Sequence, residues 1–509
     1  HLFATKLVSK TSETYASWNV DSSYNRGFFH INWTNPNLLA GAISLHPSVM
    51  RFGGSGNDFL QYDTPSHPCT SVPPAGCTKT MYCPRCMNMT TWNDLYAMAN
   101  SSGTRVLFGL AFGDAAGCIW KLPTQPCCMY CNKKSAYQWN SSNAEEMLQY
   151  TLRQGQRLWG VELGNEVNND MNACSVRPSQ QANAILALQR ILEELFPDAS
   201  TRPKTVGPDT GYLNPETWLK GLLPAVGPHL HAVTHHVYPG ITRDSWNSSA
   251  RLDSVLRDIE WYVPTIRRYA PHAEIWAGED GPTAGGEDGT CGGDSSACGT
   301  FSTTLWYADD MGLRASKGFF QWQRQDLVGG RYGLLGIQHD NEYLTADAPV
   351  SIYPDFWVNF LWKRIMGVGV LDAKLSNDFN GTLRGYAHCG KAPSPYAEGT
   401  SHDGALLVSW LLINLADEPR FASFEGSTSY TAWSLTAGAD GVFGTTALLN
   451  NKPLPTSIGD GKTIGKVPVA GELRAEGEQT ILPPSSVSFF LGKMQAAISG
   501  CPSALVAYV

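Results

Sequence analysis

Two glutamates, each closing an apolar stretch, are the residues of this chain best suited to chemistry. Trp159-Gly-Val-Glu-Leu-Gly-Asn-Glu166 and Glu274-Ile-Trp-Ala-Gly-Glu279 both read as a buried strand that ends on a carboxylate. A carboxylate in that position is desolvated on one side and open to a cleft on the other, so its pKa can be set for acid, base or nucleophile work. Two such groups at matched strand ends suit glycosidic bond cleavage, in which one carboxyl protonates the leaving oxygen while the other attacks the sugar or activates water. For either glutamate alone a structural ion pair is the plainer reading. The pairing favours chemistry.

Carboxylates so far apart in sequence meet only if the fold returns their strands to one place. From about residue 16 to 365 short β-like runs alternate with helical stretches, the pattern of a βα-repeating domain. Eight strand candidates stand out: Ser17–Asp21, Val49–Gly54, Arg105–Phe112, Trp159–Glu166, Thr205–Asp209, His231–Tyr238, Glu274–Asp280 and Lys317–Gln325. Helical periodicity between them is plainest from Ser179 to Leu195, and eight such units suggest a (β/α)8 TIM barrel of the α/β class. In that fold functional side chains sit at the C-terminal ends of strands, which places Glu166 after the fourth and Glu279 after the seventh. Beyond residue 365 the text changes to β-branched and aromatic runs separated by turn residues, as in a β-sandwich, with strands expected in 404–414, 428–435 and 486–491. Residues 1–15 are short and polar enough to add an edge strand to it. The expected division is therefore 16–365 for the barrel, and 1–15 with 366–509 for the sandwich.

Bulk properties remove several function classes. The 509 residues carry a formal charge of -8, with 16% charged residues and no basic run, which argues against nucleic acid and polybasic membrane contacts. The longest apolar run, Ala405 to Ala416, is too short to span a bilayer, so no transmembrane segment is expected. The chain begins at His1 with no apolar leader, as though a signal peptide had already been removed. Six N-x-Ser/Thr sequons, at Asn32, Asn88, Asn100, Asn140, Asn247 and Asn380, and 13 cysteines point to a secreted or vacuolar-lysosomal compartment. Cys69, Cys77, Cys83 and Cys86 fall in one loop, and Cys118, Cys127, Cys128 and Cys131 in another, with Cys174 beyond. The spacings Cys83-Pro-Arg-Cys86 and Cys128-Met-Tyr-Cys131 would suit a four-thiolate zinc site in a reducing compartment, but here disulfides are favoured and no metal or organic cofactor is expected. Cys291 and Cys298 bracket a glycine-rich loop. Cys389 and Cys501 are placed to tie the last strand of the sandwich to an earlier one.

Several ordered blocks carry a family resemblance: Arg51-Phe-Gly-Gly-Ser-Gly-Asn-Asp-Phe-Leu60, Gln138-Trp-Asn-Ser-Ser-Asn-Ala144, Glu162-Leu-Gly-Asn-Glu166, Gly207-Pro-Asp209, His235-His-Val-Tyr238, Arg324-Gln325 and Tyr386-Ala-His-Cys389. Across nearly its whole length the chain resembles heparanase and its β-glucuronidase relatives, glycoside hydrolase family 79. The resemblance implies a (β/α)8 barrel with a β-sandwich and retaining hydrolysis of a β-glucuronide in a glycan or glycoconjugate. It makes Glu166 the general acid/base and Glu279 the nucleophile. Asn165 then faces the sugar 2-hydroxyl, Tyr238 holds Glu279 by hydrogen bond, and Arg51 keeps that carboxylate ionised. Gly285, Gly286 and Tyr332 match positions that take the substrate carboxylate, while Asp21, Ser55, His236 and Gln325 match the pocket of the terminal sugar.

Departures from the family pattern bear on the site. Val167 stands where the family usually has proline, Asp280 follows the nucleophile in place of Thr or Ser, and Arg331 precedes Tyr332. Asp280 is expected to face away from Glu279, since adjacent strand residues alternate faces. The loop between Asp63 and Trp92 is much shorter than the excised linker of heparanase proenzymes, so no activating excision is expected. Two Cys-rich insertions, roughly 64–91 and 113–137, follow strands two and three and would wall the catalytic face, with Trp120 and Tyr130 available to stack on sugars. That favours exo action. An endo-acting enzyme and a non-catalytic glycan-binding relative are the alternatives.

Overall fold

The computed structural model describes residues 1–22, 28–69, 85–113, 138–170, 176–284, 291, 295–329, 331–337, 343–391, 406–475, 477–495, 498 and 501. Eight parallel strands close into a barrel: Ala16–Asp21, Val49–Gly53, Arg105–Leu110, Gly160–Leu163, Lys204–Thr210, Ala232–Val237, Glu274–Asp280 and Gln321–Arg324, here called barrel strands one to eight. Nearly every residue in them is buried, because side chains fill the barrel on one face and helices cover the other. Strand four is shorter than its sequence suggests. Gly164 takes φ 81° just after Leu163, so Glu166 stands three residues beyond the strand in the loop above it. Strand eight likewise starts at Gln321 and not Lys317, because Lys317 caps the helix Phe301–Ser316 and Gly318 turns the chain at φ 85°.

The last third of the chain forms an antiparallel sheet that takes in the N-terminus. Leu2–Lys10 pairs with Met366–Leu375, followed in order by Leu383–Gly390, Leu407–Asn414, Ser486–Met494 and Ser427–Ala437. The apolar run noted in the sequence is the central strand Leu407–Asn414, buried along its whole length. Between sheet and barrel lie Phe301–Ser316, in which all of residues 301–315 are buried, and Pro354–Ile365. A helix buried on every side needs no polar stripe, and its few charges must then be paired. Asp309 is met by Arg384 from the sheet at 2.8 Å, and Asp310 by Arg314 at 3.0 Å.

Among the described residues three disulfides join Cys69 to Cys86, Cys291 to Cys298 and Cys389 to Cys501. Cys86 is thereby removed from any four-thiolate zinc site. Cys77, Cys83, Cys118, Cys127, Cys128, Cys131 and Cys174 lie outside the described residues, as do Trp120, Tyr130, Gly285 and Gly286. Of the six sequon asparagines five are exposed and Asn32 is half-buried. Among the described residues no helix is long and apolar enough to cross a membrane.

Candidate active site

Barrel strand two delivers Arg51 to the middle of the barrel mouth, where its side chain is 1% exposed. Its Nε donates to Glu162 Oε2 at 2.7 Å, Nη1 to Glu279 Oε2 at 2.8 Å, and Nη2 to Asn165 Oδ1 at 2.8 Å and Asp209 Oδ2 at 3.2 Å. These acceptors come from strands four, five and seven. One planar cation with its donors in a fixed fork therefore sets the relative positions of three strand ends. The guanidinium has room because residue 53 is glycine: a Cβ there would lie 2.5 Å from Arg51 Cζ.

Glu166 and Glu279 face each other across this hub. Glu279 ends strand seven and accepts from Arg51 on Oε2 and from the Tyr238 hydroxyl on Oε1 at 2.5 Å. Glu166 adopts φ 48°, and its N–H donates to the carbonyl of Asp209, itself at φ 54°. Left-handed backbone at a non-glycine residue costs on the order of 1 kcal/mol and persists where surrounding contacts impose it, typically at functional sites. The Glu166 carboxylate takes a hydrogen bond from Asn169 Nδ2 at 2.7 Å on Oε2 and meets His236 Nδ1 at 3.0 Å on Oε1. One oxygen of Glu166, one of Glu279 and a ring nitrogen of His236 all lie within 4.8 Å of one another.

The electrostatics separate these groups. His236 is buried, with Nε2 against Asp209 Oδ1 at 3.2 Å and Nδ1 at 3.8 Å from Glu279 Oε2. Burial alone would push its pKa down, but Glu279, Asp209 and Glu166 outweigh it and raise the imidazole to about 10. Burial pushes the Glu279 carboxyl up. His236, Arg51 and the Tyr238 hydrogen bond together overcome that and hold it below the ordinary glutamate range. Asp209 is likewise held down against burial by Arg51 and His236, whereas burial and the charge of Asp209 drive Glu162 well up.

The remaining residues singled out from sequence fall around the same mouth. Asn165 is buried, and its Oδ1 accepts from Arg51 and from the N–H of Gly54 at 3.2 Å, which turns its amide NH2 away from both. Gln325 Nε2 donates to Asp21 Oδ2 at 2.6 Å, with the Tyr332 hydroxyl 3.4 Å from the same oxygen. Asp21 ends strand one, Gln325 directly follows strand eight, and Tyr332 lies in the loop beyond it. Ser55 opens the short turn after strand two, where Gly54 lies so close to Asp21 that a Cβ would sit 2.5 Å from Asp21 Oδ1. His236 is 3% exposed and contacts the carboxylates from beneath. Asp280 faces outward, accepting from Val237 N–H at 3.0 Å and meeting Arg314 Nη2 at 2.5 Å on the helix behind the barrel, away from Glu279. Val167 is buried and opens the short helix Val167–Asp170, and Arg331 is exposed.

Four groups of this network escape a reading of strand ends alone. Glu162 and Asp209 complete the ring around Arg51, and Asn169 orients Glu166. Asp58 accepts the N–H of Phe112 on Oδ1 at 3.0 Å and that of Asn165 on Oδ2 at 3.1 Å, clamping the loops after strands three and four. One signal pointed to Glu162: a charged residue two positions inside an otherwise apolar barrel strand has only the barrel interior to face.

The chain matches the model of "Glycosyl hydrolase family 79, N-terminal domain" over residues 10–312. It is 27% identical over 405 residues to heparanase-like protein 1 of Arabidopsis thaliana, covering 77% of this chain and 66% of that protein. To baicalin-beta-D-glucuronidase of Scutellaria baicalensis it is 26% identical over 369 residues, covering 70% and 66%. To hyaluronoglucuronidase of Hirudo nipponia it is 25% identical over 473 residues, covering 88% and 89%. The matched stretch thus spans just under two thirds of the plant relatives. Among solved structures, the GH51 arabinofuranosidase from Xanthomonas axonopodis pv. citri superposes with TM-score 0.62 at 12% identity over 97% of this chain and 99% of that one. A 4-O-alpha-L-rhamnosyl-beta-D-glucuronidase from Fusarium oxysporum 12S superposes with TM-score 0.60 at 12% identity over 97% and 100%. At such identities the two structures speak for the fold.

Proposed function

The chain belongs to glycosyl hydrolase family 79, and from that membership we propose that it is a secreted retaining β-glucuronidase that releases terminal glucuronic acid from glycans or glycoconjugates. The observation that carries the reading is the approach of Glu166 and Glu279, whose carboxylate oxygens lie within 4.8 Å. Retaining pairs stand about 5–5.5 Å apart and inverting pairs about 6.5–9.5 Å, because an inverting site must hold a water between base and sugar. The approach seen here falls on the retaining side of those two ranges.

In the proposed reaction Glu279, ionised and aimed by Arg51 and Tyr238, attacks the anomeric carbon while Glu166 gives its proton to the leaving oxygen. Glu166 then takes a proton from the water that hydrolyses the glycosyl ester on Glu279. Asn165, with its oxygen committed to Arg51 and Gly54, offers its amide NH2 to the sugar 2-hydroxyl. Asp21, Ser55 and Gln325 serve the other hydroxyls, and Tyr332 with the backbone of Gly285 and Gly286 receives the uronate, since consecutive glycines let the main chain approach an anion closely. Residues 16–365 act as the catalytic unit, and 1–15 with 366–509 as its sandwich partner. Accessible sequons and three disulfides support an oxidising compartment.

The Cys-rich insertions after strands two and three support exo action. The similarity over most of the chain to a hyaluronoglucuronidase favours the second reading, internal cleavage of a glucuronate-containing polymer. Turnover of an aryl β-glucuronide with β-configured first product, lost by 10²-fold or more in Glu166→Gln and Glu279→Gln, is the expected result. An α-configured first product or full activity in either variant would refute the mechanism. Free glucuronic acid from polysaccharide supports exo action. Oligosaccharides without the monosaccharide overturn it.

A further inference from the structure

The proposed reaction leaves the far side of the cleft, where the departing group must lie, without a reader. Tyr212 occupies that side. It is the most exposed of the large apolar side chains among the described residues, at 77%, in the loop that follows barrel strand five. An aromatic ring left in water contributes nothing to the core and is the common signature of a recognition surface.

Its backbone, by contrast, is held from both sides. Asn168 Oδ1 accepts the N–H of Gly211 at 2.9 Å, and Asn168 Nδ2 donates to the carbonyls of Gly211 at 3.0 Å and Leu213 at 2.7 Å. Asn169 Oδ1 accepts the N–H of Leu213 at 2.7 Å while its Nδ2 donates to Glu166. Tyr212 therefore stands between two residues tied to the segment that presents Glu166. Gly211 itself lies against that carboxylate: a Cβ there would come 2.7 Å from Glu166 Cδ and 2.1 Å from Asn169 Nδ2. With consecutive Cα atoms about 3.8 Å apart, the Tyr212 Cα stands within about 8 Å of the Glu166 carboxyl carbon, so a ring there borders the space next to the carboxyl where a leaving group would lie.

Barrel order fixes which part of the substrate this is. Asp21 ends strand one and Gln325 follows strand eight, with Tyr332 reaching Asp21 from the loop beyond, while Glu166 and Tyr212 follow strands four and five, diametrically opposite in an eight-stranded ring. If the uronate is held at strands one and eight, the bond that Glu166 protonates points toward strand five. We propose that Tyr212 is a specificity-determining platform for the leaving group, stacking its ring on a flat, uncharged face, either an aromatic aglycone or the apolar face of a pyranose. This rests on the β-glucuronidase reading. The pre-set loop matters energetically, because a platform whose backbone is already fixed loses little freedom on binding.

The test compares substrates with and without a leaving group large enough to stack. For Tyr212→Ala, kcat/KM on an aryl β-glucuronide is expected to fall about tenfold, mainly through KM, while β-glucuronyl fluoride is hydrolysed at the wild-type rate. Tyr212→Phe retains the aryl activity, since the ring and not the hydroxyl does the stacking. A glucuronyl disaccharide run alongside separates the two sources of a flat face: the substrate with the larger Tyr212→Ala loss names the natural one. Equal activity of Tyr212→Ala and wild type on both large substrates would overturn the proposal. So would equal loss on the fluoride, which would mean that the loop and not the platform had failed. A wild-type enzyme inactive on every glucuronide, the fluoride included, refutes the parent reading and this inference with it, and is told apart by that control.

Discussion

His236 lies between Glu166, 3.0 Å from one ring nitrogen, and Asp209, 3.2 Å from the other, a setting that favours the charged imidazolium. Desolvation opposes that charge, and the charge of Glu279 does most to overcome it. The two groups are therefore linked. Glu279 keeps His236 protonated to about pH 10, and His236 in return keeps Glu279 ionised below the ordinary carboxylate range. Removing the carboxylate charge in Glu279→Gln should lower the histidine pKa by more than a unit, visible as an imidazole C–H resonance that begins to titrate below pH 10 by NMR. The converse variant, His236→Asn, should move the acid limb of kcat/KM to higher pH, because Glu279 then loses its cationic neighbour and takes up its proton sooner. An acid limb that stays in place in His236→Asn would show that Arg51 and Tyr238 hold Glu279 ionised without the histidine.

Asp58 acts on the scale of elements, since its two oxygens hold backbone N–H groups from the loops after strands three and four. Burial drives its pKa up to about 7, against an unfolded value of 3.8. The folded protein thus keeps this proton between about pH 4 and pH 7 while the unfolded chain releases it. Stability contributed by the group is present below about pH 4 and lost as pH rises toward 7. Asp58→Asn replaces one acceptor by an NH2 that faces another donor, costing about 1–3 kcal/mol. Because the amide does not titrate, the gap in urea midpoint between wild type and variant should narrow from pH 4 to pH 7. A gap independent of pH would show that Asp58 is already ionised in the folded state. Such clamps mark where the sequence stopped being legible. Barrel strands announce themselves as short apolar runs, and glutamates at strand ends stand out because a charge there needs a cleft. Arg51, Glu162, Asp209 and Asp58 come from segments up to 158 residues apart, and no local pattern says which buried ionisable groups will meet. Strand four was overextended for a related reason: Gly164 turns the chain within a stretch whose residue types continue to read as strand.

At the scale of the molecule the sheet is coupled to the barrel through paired charges as well as apolar packing. Arg384 on the strand Leu383–Gly390 reaches Asp309 on the helix Phe301–Ser316 with Nε at 2.8 Å and Nη2 at 3.1 Å, and Asp253 with Nη2 at 2.6 Å, while the Tyr386 hydroxyl donates to Asp309 at 2.6 Å. That helix connects barrel strand seven, which carries Glu279, to strand eight, which leads into Gln325, so the sheet braces the strands that bear the proposed nucleophile and part of the proposed sugar pocket. The fork-to-carboxylate geometry is nearly closed to solvent, with Asp309 1% exposed. Removing one partner of such a pair leaves a buried charge without compensation, which costs more than the pair itself contributes. Arg384→Met is therefore expected to lose about 3 kcal/mol in urea unfolding. Adding Asp309→Asn should recover part of that loss, because the stranded charge is then gone. The recovery separates electrostatics from packing, since a merely damaged interface would be damaged further by the second substitution. A loss of only a few tenths of a kcal/mol in Arg384→Met, the size typical of an exposed ion pair, would mean that the sheet is held to the barrel by apolar contact alone.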